Sequence, residues 1–277
     1  MAARLRRGAR AGRARGGPIA LNRRPRLVVA GSSCSIPRPA RACSSYLVDD
    51  GETPVALDLG TGALANLRRH VDYDRLGAVV ISHMHADHFI DLIPLRYALR
   101  YGARLRADKL PVYLPPGGPA MLQSLCAAFA SEGGDFLNDV FALHEYDPAA
   151  PLRLGAATLR FAHTAHYIPA FAMRWERDGA SVVYSADTAP DPRVVALARD
   201  AGVFVCEATL LHGQTEPGMR GHSSAADAAL MAREARARRL VLTHYGETST
   251  AADLDAPARD IFGGDVTVAD DHLEIPL

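Results

Sequence analysis

The 277 residues are 48% hydrophobic and 22% charged, the make-up of an ordinary globular protein. No apolar run approaches the ~20 residues that cross a bilayer, and no apolar segment of signal-peptide type follows the N-terminus, so neither a membrane association nor secretion is expected. The formal net charge of +0 conceals a split, because nine arginines and no acid fall within residues 1–26, leaving 22 basic against 31 acidic residues from Leu27 onward. A body of that charge carries no basic footprint for a long nucleic acid.

Residues 1–25 interleave Arg with Gly and Ala, a composition that cannot bury a core, and read as a disordered tail ahead of a single domain over 26–277. Cys34, Cys43, Cys126 and Cys206 form no C-x-x-C pair. Cys206, inside "VFVCEA", reads as a buried free thiol, and the reduced cytoplasm is the expected compartment.

In chain order, "RLVVAGSS" predicts a strand running into a Gly/Ser turn. "SSYLVDD" and "PVALDLG" predict two more, parted by a turn at Asp50-Gly51. "GALANLRRHV" predicts a short helix and "LGAVVISH" a buried strand. Phe89, Ile93, Tyr97 and Tyr101 recur at i+4, which predicts one helix from Ala86 to about Gly102. One strand, a helix over 119–130 and a Gly-rich loop follow, with 115–118 and 131–137 as candidate pocket walls. "LRLGAATLRFAHTAH" and "AFAMRWERDGASVVYSAD" predict strands, the latter turning at Asp178-Gly179. Helices over 192–201, 223–237 and 254–262 then alternate with strands "VFVCEA", "RLVLTH" and "VTVAD".

The chemistry concentrates in "VVISHMHADHFIDL". His83 ends a buried strand, and His85, Asp87 and His88 follow in the strand-to-helix turn, where side chains project from a sheet edge. Imidazole and carboxylate at this density suit zinc, iron or manganese. A capped helix start would explain Asp87 but not three histidines.

"HMHADH" resembles the H-x-H-x-D-H signature of the metallo-β-lactamase superfamily, and further motifs follow in that family's order. The resemblance implies an α/β fold, an αββα sandwich of two packed sheets flanked by helices. Asp58 in "ALDLGTG" matches the early Asp that supports the metal loop from behind. "FAHTAHYIPAFAMRW" offers His163 and His166. The pattern favours His166 as the ligand and makes His163 a neighbour of unassigned role. Asp187 in "VVYSADTAP" matches the bridging Asp, with Ala186 where the family has Gly, and "RLVLTHYGE" supplies His244. By resemblance His83, His85 and His166 hold one metal, Asp87, His88 and His244 the second, and Asp187 bridges. Two cations ~3.5–4 Å apart lower the pKa of a bridging water and clamp charge on substrate oxygens. Imidazole at His85, where flavodiiron-type relatives place Glu, points to two Zn2+ ions, with Mn2+ or Fe2+ as alternatives.

"CEATLLHGQTEPGMRGHSSAAD" resembles the tRNase Z-like phosphodiesterase segment in which a histidine serves the scissile phosphate. It falls here on His222; the alternative is a mere neighbour of a helix cap at Ser223. His222 and Asp87 are the candidate catalytic residues. The opening "GSSCSIPRPARACSSYLV" resembles that branch's Gly/Ser turn, for which an ordinary turn outweighs a phosphate loop. True tRNase Z inserts a tRNA-gripping arm between the third-motif histidine and the bridging Asp. Here 20 residues separate His166 from Asp187 and read as a plain hairpin. With an acidic body this disfavours tRNA as partner. The expectation is hydrolysis of a phosphodiester in a small nucleotide, with 3′,5′-cyclic nucleotides foremost. The alternatives are tRNA 3′ processing, ester, lactone or thioester hydrolysis, and an idle zinc-bound scaffold. A homodimer is suggested only by relatives of this kind.

Overall fold

The computed structural model describes residues 25–128, 136–211 and 213–277. The expectations for the Arg-rich tail, for residues 129–130 of a helix and for most of the segment 131–137 fall outside the described residues.

Two seven-stranded sheets pack face to face. The first holds β1 (Arg26–Gly31), β2 (Ser45–Asp49), β3 (Val55–Leu57), β4 (Ala78–Val80), β5 (Leu110–Leu114), β6 (Phe141–Glu145) and the last strand, β14 (Glu274–Pro276). Its order is β14-β1-β2-β3-β4-β5-β6, antiparallel up to β3 and parallel from β3 to β6. The second holds β7 (Leu152–Leu154), β8 (Ala157–His163), β9 (Phe171–Arg177), β10 (Ala180–Tyr184), β11 (Val203–Glu207), β12 (Arg239–Thr243) and β13 (Asp265–Val268). Its order is β13-β12-β11-β10-β9-β8-β7, with β7–β10 antiparallel and β10–β13 parallel. Each sheet therefore has a hairpin half and a parallel half.

The strands are short apolar runs, and their alternation decides which layer each side chain enters. Leu27, Val29, Val48 and Val80 meet Leu159, Met173, Trp175 and Val182 between the sheets. Val28, Leu47, Val79 and Ile81 point outward under α1 (Ala63–Leu67), α3 (Leu92–Tyr101) and α4 (Gly118–Cys126). On the other side Val183, Phe204, Cys206 and Leu242 lie under α5 (Pro192–Leu197), α6 (Ala225–Glu234) and α7 (Ala251–Phe262). This is the αββα sandwich, and Cys206 is a buried free thiol within it. The Asp178-Gly179 turn has both residues at positive φ, 49° and 83°, the geometry of a tight two-residue hairpin.

Several local expectations are corrected. The helix predicted from Ala86 to about Gly102 is two pieces, α2 (Ala86–Phe89) and α3, parted by the turn residues Ile90 and Asp91, the latter accepting the Leu64 N–H at 2.9 Å. The buried face of α3 is set by its leucines. Tyr97 and Tyr101 are 44% and 69% exposed, while Leu92, Leu95 and Leu99 pack inward. The helices expected over 192–201 and 223–237 are shorter, and α6 is capped by Ser224, in a capping box with Asp227, while Ser223 Oγ donates to the Thr188 carbonyl. Strands β6 and β14 were not anticipated. Among the described residues no helix is long and apolar enough to cross a membrane.

Candidate metal centre and active site

Asp58 and all seven candidate metal ligands follow the carboxyl end of a strand, whereas His222 lies in the loop ahead of α6. Asp58 follows β3, the cluster His83–His88 follows β4, His166 follows β8, Asp187 follows β10 and His244 follows β12. Asp58, Ala186 and His244 have φ of 59°, 51° and 54°, so left-handed residues turn the chain at three of these strand ends. Ala186 stands where the resemblance expects Gly, and its φ gives the reason for that preference. Gly60 is required for another reason: a Cβ there would lie 1.8 Å from the Asp87 carbonyl oxygen. The Asp58–Gly60 turn is thus pressed against the metal loop and joined to it by Leu59 N–H donating to the His88 carbonyl at 2.7 Å.

The seven expected ligands come together as two groups sharing Asp187. His83, His85, His166 and Asp187 bring one potential ligand atom each to within 4.8 Å of one another, as do Asp87, His88 and His244. Asp187 Oδ2 lies 3.6 Å from His83 Nε2 and 3.8 Å from His166 Nε2. Its Oδ1 lies 3.4 Å from both His88 Nε2 and His244 Nε2. Asp87 Oδ2 completes the second group, 3.3 Å from His88 Nε2 and 3.4 Å from His244 Nε2. His85 faces the first group through Nδ1, 3.2 Å from His83 Nε2 and 3.1 Å from His166 Nε2.

Hydrogen bonds behind the rings set the tautomers. Ser82 Oγ–H donates to Asp58 Oδ2 at 2.7 Å, so His83 Nδ1–H donates to Ser82 Oγ at 2.9 Å and Nε2 keeps its lone pair. His88 Nδ1–H donates to Asp58 Oδ2 at 2.7 Å, and His166 Nδ1–H to the Gly221 carbonyl at 2.9 Å. His244 Nδ1–H donates to Thr209 Oγ1 at 2.8 Å, and Thr209 in turn donates to Glu207 Oε2 at 2.6 Å. Four Nε2 lone pairs converge on two carboxylates, which is unfavourable without a cation.

Charge balance says the same. Burial holds His83 well down, and it lowers His85 and His166 as well, so all three are neutral donors. Burial also opposes protonation of His88, but Asp187 and Asp58 outweigh it and push its pKa well up. A proton there compensates the carboxylates, yet His88 Nε2 and Asp187 Oδ1 are both buried without a hydrogen-bond partner. The cluster is suited to binding metal ions.

His222 adds a further imidazole, within 4.8 Å of ligand atoms of Asp187 and His244. Its Nδ1 sits 2.9 Å from Glu207 Oε1, and Glu207 is wholly buried. Burial would lower the His222 pKa, but the hydrogen bond and charge of Glu207, with Asp187 and Glu216, carry it up to about 9. One carboxylate thus serves His222 directly and His244 through Thr209. Sequence reasoning gave no role to Glu207 or Thr209, although "EAT" at the end of β11 was the available signal. Glu216 Oε2 also accepts the backbone N–H groups of Gly221 at 2.9 Å and His222 at 3.1 Å.

His163 stays outside both groups: it ends β8 with its ring 4.4 Å from that of Phe171. Both donors of Ser32 in the opening Gly/Ser turn are taken by Asp271, the N–H at 3.0 Å and the hydroxyl at 2.8 Å. This is an ordinary turn.

A family model described as the beta-lactamase superfamily domain matches residues 53–245. An uncharacterized protein of Mycobacterium tuberculosis (strain H37Rv) is 34% identical over 254 residues, covering 90% of this chain and 92% of its own. The probable metallo-hydrolase YhfI of Bacillus subtilis is 29% identical over 88% of this chain and 96% of its own. Its crystal structure superposes with a TM-score of 0.81 at 26% identity, covering 91% of this chain and 99% of that one. Ribonuclease Z of Haloferax volcanii is 27% identical over 91% of this chain and 95% of its own. With the model spanning most of the chain and the strand-end His/Asp cluster in place, this chain belongs to the beta-lactamase superfamily, among its metallo-hydrolases.

Proposed function

We propose that this chain is a dinuclear zinc phosphodiesterase acting on a small nucleotide phosphodiester, a 3′,5′-cyclic nucleotide being the substrate to test first. In this reading His83, His85 and His166 would hold one cation and Asp87, His88 and His244 the other, with Asp187 shared between them. Zinc at ~2.0–2.1 Å from tetrahedral ligands sets ligand-to-ligand edges of about 3.3 Å; the four separations from His88 and His244 to Asp87 and Asp187 are 3.3 to 3.4 Å, and those of the first group run from 3.1 to 3.8 Å. The three imidazoles of the first group favour zinc over harder cations. Bound there, two cations supply Lewis acidity toward phosphoryl oxygens and acidify a water nucleophile.

The observation that carries the reading is His222. Glu207 fixes its Nδ1 and keeps the ring protonated near neutrality, leaving Nε2–H as the donor toward a substrate in front of Asp187 and His244. An imidazolium there can hydrogen-bond a phosphoryl oxygen and hand its proton to the departing alkoxide, a poor leaving group in a nucleotide ester. Asp87 works at the other end. As a carboxylate it would accept a hydrogen bond from the attacking water.

The relative named Ribonuclease Z supports RNA 3′ processing as the rival. Against it, β9 and β10 are joined by the two-residue turn Asp178-Gly179 where an arm would have to emerge, and the charge of the body repels phosphates. Purified full-length protein assayed with zinc on 3′,5′-cyclic AMP, a precursor tRNA and an acyl ester or lactone panel separates the readings. Turnover of the cyclic nucleotide is expected; cleavage of the tRNA alone, or of the acyl substrates alone, overturns the proposal.

A further inference from the structure

Tyr167, directly after the candidate ligand His166, is 45% exposed beside the metal centre. Its ring centroid lies 4.8 Å from that of His166 and 5.7 Å from that of His222, which meets it edge-on at 71°. Tyrosine presents an apolar face and a polar tip, and its orientation is fixed where both find partners. Here it is held from two sides. The phenol hydroxyl donates to Glu216 Oε1, and the other oxygen of the same carboxylate accepts the N–H groups of Gly221 and His222. Gly221 itself packs on the ring. A Cβ at Gly221 would lie 2.5 Å from Cζ and 2.7 and 2.8 Å from the two Cε atoms, distances that place it over the face of the ring and not in its plane.

One face of Tyr167 is therefore occupied by the Gly221 backbone, the His166 and His222 rings stand beside it, and the residue as a whole stays 45% exposed. The same short loop fixes the ring and the backbone of His222, so its position relative to the phosphate-handling imidazole is set by a single carboxylate. A flat, fixed, half-open aromatic face next to a phosphodiester centre matches the substrate's other half. Nucleobases stack on such faces with little dependence on base identity. Two χ angles frozen before binding keep the entropy cost of the contact small.

We propose that Tyr167 is the stacking platform for the nucleobase of the substrate, a specificity-determining residue that separates nucleotides from other phosphoesters. The proposal deepens the phosphodiesterase reading and rests on it for the identity of the ligand class. Its test uses binding, so that turnover is judged separately. Adenosine 5′-monophosphate and ribose 5-phosphate share the sugar phosphate and differ only in the base. Their affinities for zinc-loaded wild type, Tyr167→Ala and Tyr167→Phe are compared by isothermal titration calorimetry, each protein giving its own ratio of the two.

The wild type is expected to prefer the base-bearing ligand at least about 5-fold, the low end of a base–aromatic stack. The preference should collapse toward unity in Tyr167→Ala and persist in Tyr167→Phe, which keeps the face and loses only the bond to Glu216. A wild type without preference overturns the proposal, and so does Tyr167→Ala with the wild-type ratio. Tyr167→Phe falling as far as Ala also overturns it, because the hydroxyl would then be what matters. Should the ratios behave as expected while cyclic AMP is not hydrolysed, the substrate assignment fails and the platform stands.

Discussion

Replacing Asp58 by Asn tests whether the metal centre is built from behind. Asp58 is wholly buried and accepts four hydrogen bonds: from Ser82 N at 2.6 Å, Ser82 Oγ at 2.7 Å, His88 Nδ1 at 2.7 Å and Tyr184 Oη at 2.9 Å. Asn is nearly isosteric, so the turn survives with Oδ1 still facing Ser82 N. The new amide NH2 then faces three groups that all donate. The two hydroxyls can rotate and accept. His88 can accept only by moving its proton from Nδ1 to Nε2, which removes the lone pair aimed at Asp87 and Asp187. Losing a ligand-orienting partner of this kind costs ~10–100-fold in metal affinity, or about 1.4–2.7 kcal/mol. The loss of fold stability in metal-free protein should be smaller than removal of the whole side chain, about 1–3 kcal/mol. Metal content after dialysis against graded chelator, with urea melts of the apo protein, reads both numbers. Asp58→Asn that keeps wild-type metal content and turnover would refute the tautomer argument.

Other consequences can be measured on the same preparations. His222→Ala should lower kcat on a cyclic nucleotide by ~10²–10⁴ and much less on an activated p-nitrophenyl ester, whose leaving group needs no proton; equal losses on both would remove His222 from leaving-group protonation. Glu207→Gln should move the alkaline limb of the kcat–pH profile downward. Its partner His222 is raised to about 9, so the protonated form and the rate it supports are present below that pKa and lost as pH climbs through it. Asp187→Ala should abolish turnover and lower metal content while the circular dichroism spectrum stays that of the folded chain; retained activity would contradict the ligand assignment. Stripping the metal should lower the unfolding midpoint, since each occupied site adds about 2.7 kcal/mol when free metal stands at 100 times its Kd. An unchanged midpoint would mean that no metal is held.

The sequence exposed the site more fully than the fold around it, and the residues explain why. His83, His85, Asp87 and His88 are packed into six positions, and a strand-to-helix turn leaves them little choice but to converge. Asp187 and His244 are legible because each ends an apolar strand. Glu207 and Thr209 are not, since their partners lie 15 and 35 residues away: the pairing of β11 with β12 brings Thr209 to His244, and a bridge between Leu210 and Ser224 brings His222 back to Glu207. The buried face of α3 was not legible either. Tyr97 and Tyr101 repeat with helical period, but Leu92, Leu95 and Leu99 repeat as well and are the ones the sheet buries. Period alone does not choose between two apolar stripes. Strand β14 is three residues long and carries no periodic signal; it is held in place by β1.

Ala186 joins the two levels. As a residue it is a minor departure from Gly; as a conformation it is one of three left-handed positions, with Asp58 and His244, at strand ends that deliver site residues. Each such position costs about 1–2 kcal/mol in an L-residue, a strain that persists only where the surroundings dictate it. The surroundings here are both sheets at once. His83, His85, Asp87 and His88 come from the first sheet, while His166, Asp187 and His244 come from the second, so each group of ligand atoms spans the sandwich. Packing between the sheets therefore sets the ligand spacing, and a cation bound in either group clamps the two sheets at their carboxyl edges. The strain, the tautomers and the sheet packing all act on the same two points, which is why a chain with no long-range sequence signal beyond its histidines can still hold seven side chains in register.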